Sequence, residues 1–144
     1  MNLKYKTIIV AVDGSEDADK AFNKSIEIAK RNEEATLILT HVVDTRTFAS
    51  IAEYDKVILN EAEQRGNELL AVYEEKAKKE ITNVETLLRR GVAKAVLTKE
   101  VVPEKNADLI IVGATGLNAV ERFLIGSVSE NIVRHATCDV LVVR

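Results

Sequence analysis

The chain has 144 residues, the length of about one domain, and its 23 acidic residues outnumber its 20 Lys and Arg to give a net charge of −3. Because it is acidic overall, 4% aromatic and without Trp, it has neither the basic surface nor the stacking platform on which nucleic-acid binding depends. Its 47% apolar and 30% charged residues are typical of a globular protein, and no apolar run reaches the roughly 18 residues of a membrane span, so we expect neither nucleic acid nor membrane as a partner.

Residues 7–12 form a continuous apolar run, as expected for a strand covered on both faces, and the run lacks the cleavage-like end of a signal peptide. Asp13, Gly14 and Ser15 end this strand, and Ser15 can cap a helix whose first turn is acidic. The helix has a packed stripe at three- and four-residue spacing, made of Ala18, Ala21, Phe22, Ser25, Ile26 and Ala29.

Residues 35–42 are the second predicted strand. The connection after it, residues 43–54, has no clear period and is long, and long loops are often functional. A second amphipathic helix follows, with Gly66 on its inner face suggesting close packing against the sheet. Its stripe comprises Ile58, Ala62, Gly66, Leu69, Tyr73 and Ala77.

The third strand, residues 84–88, is more polar than the others and is predicted to lie nearer a sheet edge. A short third helix after Gly91 is predicted to stop at Pro103, because proline lacks the N–H that a helix interior needs. Residues 108–112 form the fourth strand. A helix from about 127 to 135 and a fifth strand at residues 140–143 complete the chain.

Strands that alternate with helices predict right-handed crossovers and a parallel sheet with helices on both faces, in a single domain of residues 1–144. Ligands of such sheets bind beyond the carboxyl ends of the strands, where the strand order reverses. Asp13 ends the first strand and Gly113 ends the fourth, which are the natural neighbours at that point. We therefore expect Asp13 and Gly113 to face each other at this edge.

A glycine loop, residues 113–116, follows the fourth strand and is itself followed by Gly126 and Ser127. Glycines allow backbone N–H groups to approach a ligand closely, because no Cβ stands in the way. Ser127 and Glu130 have the spacing of a capping box, which predicts that a helix begins at Ser127 with its unpaired N–H groups and positive dipole end at the loop. We infer that Gly113, Gly116, Gly126 and Ser127 hold the phosphates of a nucleotide.

The chain resembles the universal stress protein family over essentially all of its length. The match rests on the spacing Gly113-x2-Gly116-x9-Gly126-Ser127, which is the signature of the ATP-binding branch, and on three shorter motifs. These are Ala-Asp-Leu-Ile from Ala107, Val-Asp-Gly-Ser from Val12, and the Leu-Val-Val ending. The resemblance implies a Rossmann-like three-layer α/β sandwich with strand order 3-2-1-4-5, and a homodimer formed largely through the strand at residues 140–143.

The same resemblance implies a role for several residues. Asp13 matches the acidic residue near the adenosine, and Val42 matches the position whose backbone contacts adenine. Gly113 and Gly116 match the loop around the ribose and phosphates. The turn that cradles the phosphates corresponds to Gly126, Ser127 and Val128. One departure is Asp139, which stands where the family often has proline and adds a backbone N–H and a charge to the start of the fifth strand.

Each of these residues also has a simpler structural interpretation. Asp13 can end a strand with Gly14 in a turn, the glycines can serve turns alone, and Ser127 can be a helix cap with or without a ligand. His41 is more often structural than catalytic, and Arg122 is as readily a solvated arginine as a phosphate ligand. Cys138 excludes an intrachain disulfide; as the lone cysteine it is more often a small core residue than a redox centre, and it favours a reducing compartment, which we take to be the cytoplasm.

The sequence indicates binding more than turnover. It contains no Walker-type Gly-Lys-Ser/Thr, no Ser-His-Asp or Cys-His set, and no cluster of metal-ligand residues, so a Mg or Mn ion would be held mainly by phosphates and water. The favoured function is an ATP-binding regulator or sensor in the stress response. A slow ATPase and a nucleotide-free dimeric interaction protein remain as alternatives.

Overall fold

The computed structural model describes residues 4–45, 56–116 and 125–144. The strands are β1 (Thr7–Ala11), β2 (Thr36–Asp44), β3 (Val84–Gly91), β4 (Leu109–Gly113) and β5 (Asp139–Val143). The helices are α1 (Glu16–Arg31), α2 (Lys56–Lys78), α3 (Ala93–Ala95), α4 (Val102–Lys105) and α5 (Ser127–His135), with a π-helical segment, Val96–Val101, joining α3 to α4.

The five strands form one parallel sheet in the order β3-β2-β1-β4-β5, which confirms the predicted topology. β1 is central, and its Ile9 pairs with Ile38 of β2 and Ile110 of β4. One face of the sheet packs against α1 and α2, and the other against the π-helical segment, α4 and α5. The two apolar layers hold β1 and β4 in the middle of the molecule, so their carboxyl ends are fixed side by side.

The helix α1 forms as its sequence predicts. Ser15 is its N-cap, and the side chain of Ser15 accepts a hydrogen bond from the N–H of Ala18 at 3.1 Å. Its first turn is acidic and its last turn is basic, so the charges at both ends interact favourably with the helix dipole. The buried residues are those of the predicted stripe: Ala18, Ala21, Phe22, Ser25, Ile26 and Ala29.

Several element boundaries differ from the prediction. β2 continues to Asp44 and β3 to Gly91, because their parallel pairing extends as far as these two residues. β4 begins at Leu109, one residue later than predicted, and the Asp108 carboxylate before it accepts hydrogen bonds from the N–H groups of Lys6 and Thr7 at 2.8 and 3.0 Å. The connection predicted at residues 43–54 begins later than expected, and its residues 46–54 lie outside the described ranges.

The prediction that Pro103 stops the third helix is wrong. The helix passes through Pro103 and ends at Lys105, before Asn106 in the left-handed region at φ 50°. The N–H of Val102 bonds to the carbonyl of Leu97, five residues back, which is the wide turn of a π-helix. Pro103 therefore occupies the start of a new α-helical turn, where a missing N–H costs little.

The helix α2 buries Ala62, Gly66, Leu70, Tyr73 and Ala77, so Leu70 replaces the predicted Leu69, which packs at the margin of the core. β3 lies at the sheet edge, as its polarity predicts. Across the described ranges, no helix is long and apolar enough to cross a membrane.

Candidate functional site

Asp13 lies next to the glycine loop where β1 and β4 end. Its Oδ1 accepts a hydrogen bond from the N–H of Ser15 at 2.9 Å, which is the turn interaction of the simpler interpretation. Its Oδ2 is 3.1 Å from the place that a Cβ on Gly116 would occupy. Asp13 therefore approaches Gly116, and a larger residue at position 116 would press on the carboxylate.

Gly113 is the point at which α1 and β4 touch. A Cβ at this position would lie 2.7 Å from the carbonyl carbon of Asp17 and 2.8 Å from its oxygen. Real Cβ atoms do not approach backbone so closely, so this position requires glycine for packing alone. Close contact brings the first turn of α1 directly against the start of the glycine loop.

Asp17 and Thr115 form a contact that the sequence did not reveal. Oδ2 of Asp17 accepts hydrogen bonds from the backbone N–H of Thr115 at 3.1 Å and from its hydroxyl at 2.6 Å. The two residues are 98 positions apart, and the sequence identified Asp17 only as an acidic residue in the first turn of a helix. No local pattern could have paired them.

Ala114 connects the glycine loop to β5 and α5. Its N–H donates to the carbonyl of Val143 at 2.8 Å, and its carbonyl accepts from the N–H of Gly126 at 2.7 Å. The buried hydroxyl of Ser129 bonds to the same Ala114 carbonyl at 2.9 Å and to the carbonyl of Gly126 at 3.0 Å. The start of α5 is thereby held against the loop, as the glycine spacing predicted.

The helix α5 begins at Ser127, as predicted, but the predicted capping box is wrong. Gly126 is the N-cap, with extended backbone, so Ser127 is already a helical residue and its side chain is exposed. Glu130 does not reach back to Ser127; its carboxylate pairs with Arg134 at 3.0 Å. Within the described part of the chain, the Ser127 hydroxyl and the N–H groups of Ser127 and Val128 have no protein acceptor, so they remain available to a ligand.

Val42 and His41 lie two and three residues before the end of β2, because the strand continues past them to Asp44. Val42 pairs with Arg89 of the edge strand and is half-buried. His41 donates from Nδ1 to the carbonyl of Val12 at 2.8 Å, and its Cδ2 is 2.9 Å from where a Cβ on Gly66 would stand. These contacts give His41 a packing role between β1 and α2, in keeping with the structural alternative.

Behind the loop, α2 fixes α1 through one buried tyrosine. The Tyr73 hydroxyl donates to Asp19, and the Tyr73 ring packs on Phe22 with centroids 4.8 Å apart. Burial first, and then the hydrogen bond and charge of Asp19, raise the pKa of Tyr73 above its ordinary value. Burial likewise raises the pKa of the Cys138 thiol, which suits a core residue more than a reactive one.

The described residues contain no group of three or more His, Cys, Asp or Glu that could hold a metal ion. Arg122, the other predicted phosphate candidate, lies outside the described ranges. The site brought together by the fold thus consists of Asp13, the glycine loop and the first turn of α5, with Val42 two strands away from β4.

Comparison with known proteins gives a consistent result. The sequence model of the Universal stress protein family matches residues 4–144. A Staphylococcus haemolyticus protein named as a universal stress protein is 50% identical over 143 residues, covering 99% of this chain and 86% of that one. Universal stress protein UspA from Lactobacillus plantarum has a structure that superimposes with a TM-score of 0.85 at 28% identity, covering 99% of this chain and 100% of that one. A universal stress protein solved in complex with cAMP gives a TM-score of 0.66 at 29% identity, covering 99% and 98%.

Proposed function

The chain belongs to the universal stress protein family, and from this premise we propose that it binds ATP at the carboxyl edge of its sheet and acts as a nucleotide-dependent regulator or sensor in the stress response. We further propose that residues 1–144 act as one domain. A relative with the same fold was solved in complex with cAMP, an adenine nucleotide, which makes this ligand class the natural one to test.

The observation that carries the proposal is the meeting of three distant segments. The Asp13 carboxylate stands beside Gly116, and the Gly126 N–H bonds to the loop at Ala114, so β1, the glycine loop and α5 share one edge. The first turn of α5 supplies backbone donors and the positive end of a helix dipole, both of which favour phosphate oxygens. A chain with net charge −3 needs such backbone donors, because it has no excess of basic side chains.

Charge assigns the two ends of the ligand. A carboxylate repels phosphate and accepts hydrogen bonds from hydroxyl groups, so we assign Asp13 to the ribose. Gly116 then lies between ribose and phosphates, and Gly113, the last residue of β4, begins the loop around them. For the phosphates we assign the Gly126 turn, the free Ser127 hydroxyl, and the N–H groups of Ser127 and Val128.

The adenine is assigned to the backbone of Val42, near the end of β2. This strand pairs with β1 and lies on the side of Asp13 that is away from β4. A ligand running from β2 across β1 to the glycine loop would therefore cross the edge in the order base, ribose and phosphates.

A divalent ion, Mg or Mn, fits this site only as part of the nucleotide. Since the described residues offer no cluster of three metal-binding side chains, the proposal leaves the ion to phosphate oxygens and water. Bound in this way, the ion would neutralise phosphate charge that Asp13 and Asp17 would otherwise repel.

We also propose a homodimer through β5. This strand is a sheet edge, and its residues 140–143 are apolar and half-buried. The opposite edge, β3, carries arginines that pair with Glu63 and Glu104, which discourages strand addition there. Asp139 is held by the Tyr5 hydroxyl at 2.7 Å, so its charge is tied to its own chain. Sedimentation that finds only monomer at all concentrations would refute the dimer without touching the nucleotide proposal.

The test of nucleotide binding is calorimetric titration of ATP with Mg²⁺ into the wild-type chain and into Gly116→Val and Ser127→Ala. We expect micromolar affinity for the wild type, because a few charged hydrogen bonds exceed the cost of ordering the ligand by about 8 kcal/mol. Gly116→Val should abolish binding, and Ser127→Ala should weaken it about tenfold. Thr86→Val, which removes an exposed hydroxyl from β3, is the matched control and should bind as the wild type does. Absence of heat with wild-type protein refutes the proposal.

A further inference from the structure

The glycine loop is held from the side of α1 by one carboxylate. Asp17 receives both the N–H and the hydroxyl of Thr115 on a single oxygen, and its side chain is only 19% exposed. Hydrogen bonds to an ionised acceptor are stronger than neutral ones, and partial burial protects them from water. This contact therefore stabilises the loop conformation in which Thr115 faces Asp17.

The contact also decides which donors of the loop face a ligand. Both donors of Thr115 point to Asp17, so neither is left for a phosphate. The Ala114 N–H is likewise committed to Val143. Among the described residues, the donors at this edge that are not committed in this way are those of Gly116 and of the first turn of α5.

We propose that Asp17 is a positioning residue of the nucleotide site, acting through Thr115 to hold the glycine loop in its binding-competent form before the ligand arrives. This inference rests on the proposed function. A loop that populates the competent form only part of the time binds with an affinity reduced by that fraction. Asp17 thus raises affinity although it contacts no ligand atom.

The charge of Asp17 acts in the opposite direction. A carboxylate near phosphates weakens their binding, and Lys20, with its Nζ 3.8 Å from Oδ1, offsets that charge only in part. Removing the whole Asp17 side chain and removing only its charge should therefore change the affinity for ATP by different amounts. Asn at position 17 keeps an oxygen that can accept from Thr115 but has no charge.

The experiment compares ATP affinities of Asp17→Ala, Asp17→Asn, Thr115→Val and Thr115→Ser by calorimetry. We expect Asp17→Ala to bind about tenfold more weakly and Asp17→Asn to stay within about threefold of wild type. Thr115→Val should lose several-fold, and Thr115→Ser, which restores the hydroxyl, should recover wild-type affinity. The matched control is Glu27→Ala, which removes an exposed acid from a later turn of the same helix, where it pairs with Lys24, and should change nothing.

Amide exchange of residues 113–116 without ligand provides a second readout. It should accelerate in Asp17→Ala and Thr115→Val and remain unchanged in Glu27→Ala and Thr115→Ser. If both Asp17 variants bind ATP as well as wild type, charge and position have no net role and the inference is overturned while the proposed function stands. If wild-type protein binds no ATP, both fall. If Asp17→Ala does not fold, the Thr115 pair decides the matter.

Discussion

Replacing Gly113 by Ala should destabilise the protein through a backbone clash. The new Cβ would stand 2.7 Å from the Asp17 carbonyl carbon, and a helix backbone cannot rotate away as a side chain can. Overpacking of this kind costs about 1–3 kcal/mol, and the more restricted unfolded chain returns about 0.4–1 kcal/mol. The expected net loss is therefore about 1–2 kcal/mol of unfolding free energy, or about 3–6 °C in Tm for a chain of this size.

Urea denaturation followed by circular dichroism measures this loss, with an unchanged slope against urea showing that the same surface unfolds. Gly116→Ala is the matched control in the same loop. Among the described residues, its Cβ would meet only the end of the Asp13 carboxylate, at 3.1 Å, and that side chain can turn, so stability should change by less than about 0.5 kcal/mol. Equal or greater stability of Gly113→Ala than of wild type would refute the reasoning, because it would mean that α1 and β4 are not in contact as described.

Three further predictions concern stability. Ser129→Ala should lose about 1–2 kcal/mol of unfolding free energy, because the buried Ser129 hydroxyl bonds to two carbonyls. Ser127→Ala should lose less than about 0.5 kcal/mol, and equal losses in urea denaturation would contradict the assignment of Gly126 as the N-cap. Thr40→Val should gain about 1 kcal/mol of unfolding free energy, since the Thr40 hydroxyl is buried and has no hydrogen-bond partner among the described residues. A lower Tm for this variant would show that the hydroxyl does make a hydrogen bond. The pKa of Tyr73 is raised on folding. The stability that the protonated Tyr73 contributes to the folded state is therefore fully present below pH about 10 and is lost as pH rises above that value. In thermal melts at alkaline pH, the Tm of the wild type should therefore fall more steeply with pH than the Tm of Tyr73→Phe. Parallel plots of Tm against pH would argue against the buried bond to Asp19.

The sheet topology could be predicted because the spacing of apolar residues within each segment shows whether that segment is a strand or a helix. The ends of β2 and β3 could not, since Val43 and Asp44 join the sheet only through pairing with Arg90 and Gly91 some 47 positions away. The prediction that the third helix stops at Pro103 was wrong for a related reason. Whether a proline ends a helix or begins its next turn depends on the hydrogen bonds of the preceding turn, here the π-helical segment.

The candidate site shows the same division. Spacing alone predicted that the glycine loop and the start of α5 would meet. It could not say whether Ser127 or Ser129 turns back to the loop, because both lie in the first turn and only the position of the Ala114 carbonyl distinguishes them. Asp17 could not be identified for the same physical reason: Thr115 is brought to it by the pairing of β1 with β4, which are far apart in the sequence.

The hydrogen bonds of Ala114 have a consequence for regulation. Its N–H bonds to the end of β5 and its carbonyl accepts from the start of α5, so this one residue contacts both the outer strand and the helix to which we assign the phosphates. If two copies meet along β5, nucleotide occupancy and subunit association are thermodynamically linked. Whatever factor ATP contributes to the association constant, association must then contribute to the affinity for ATP.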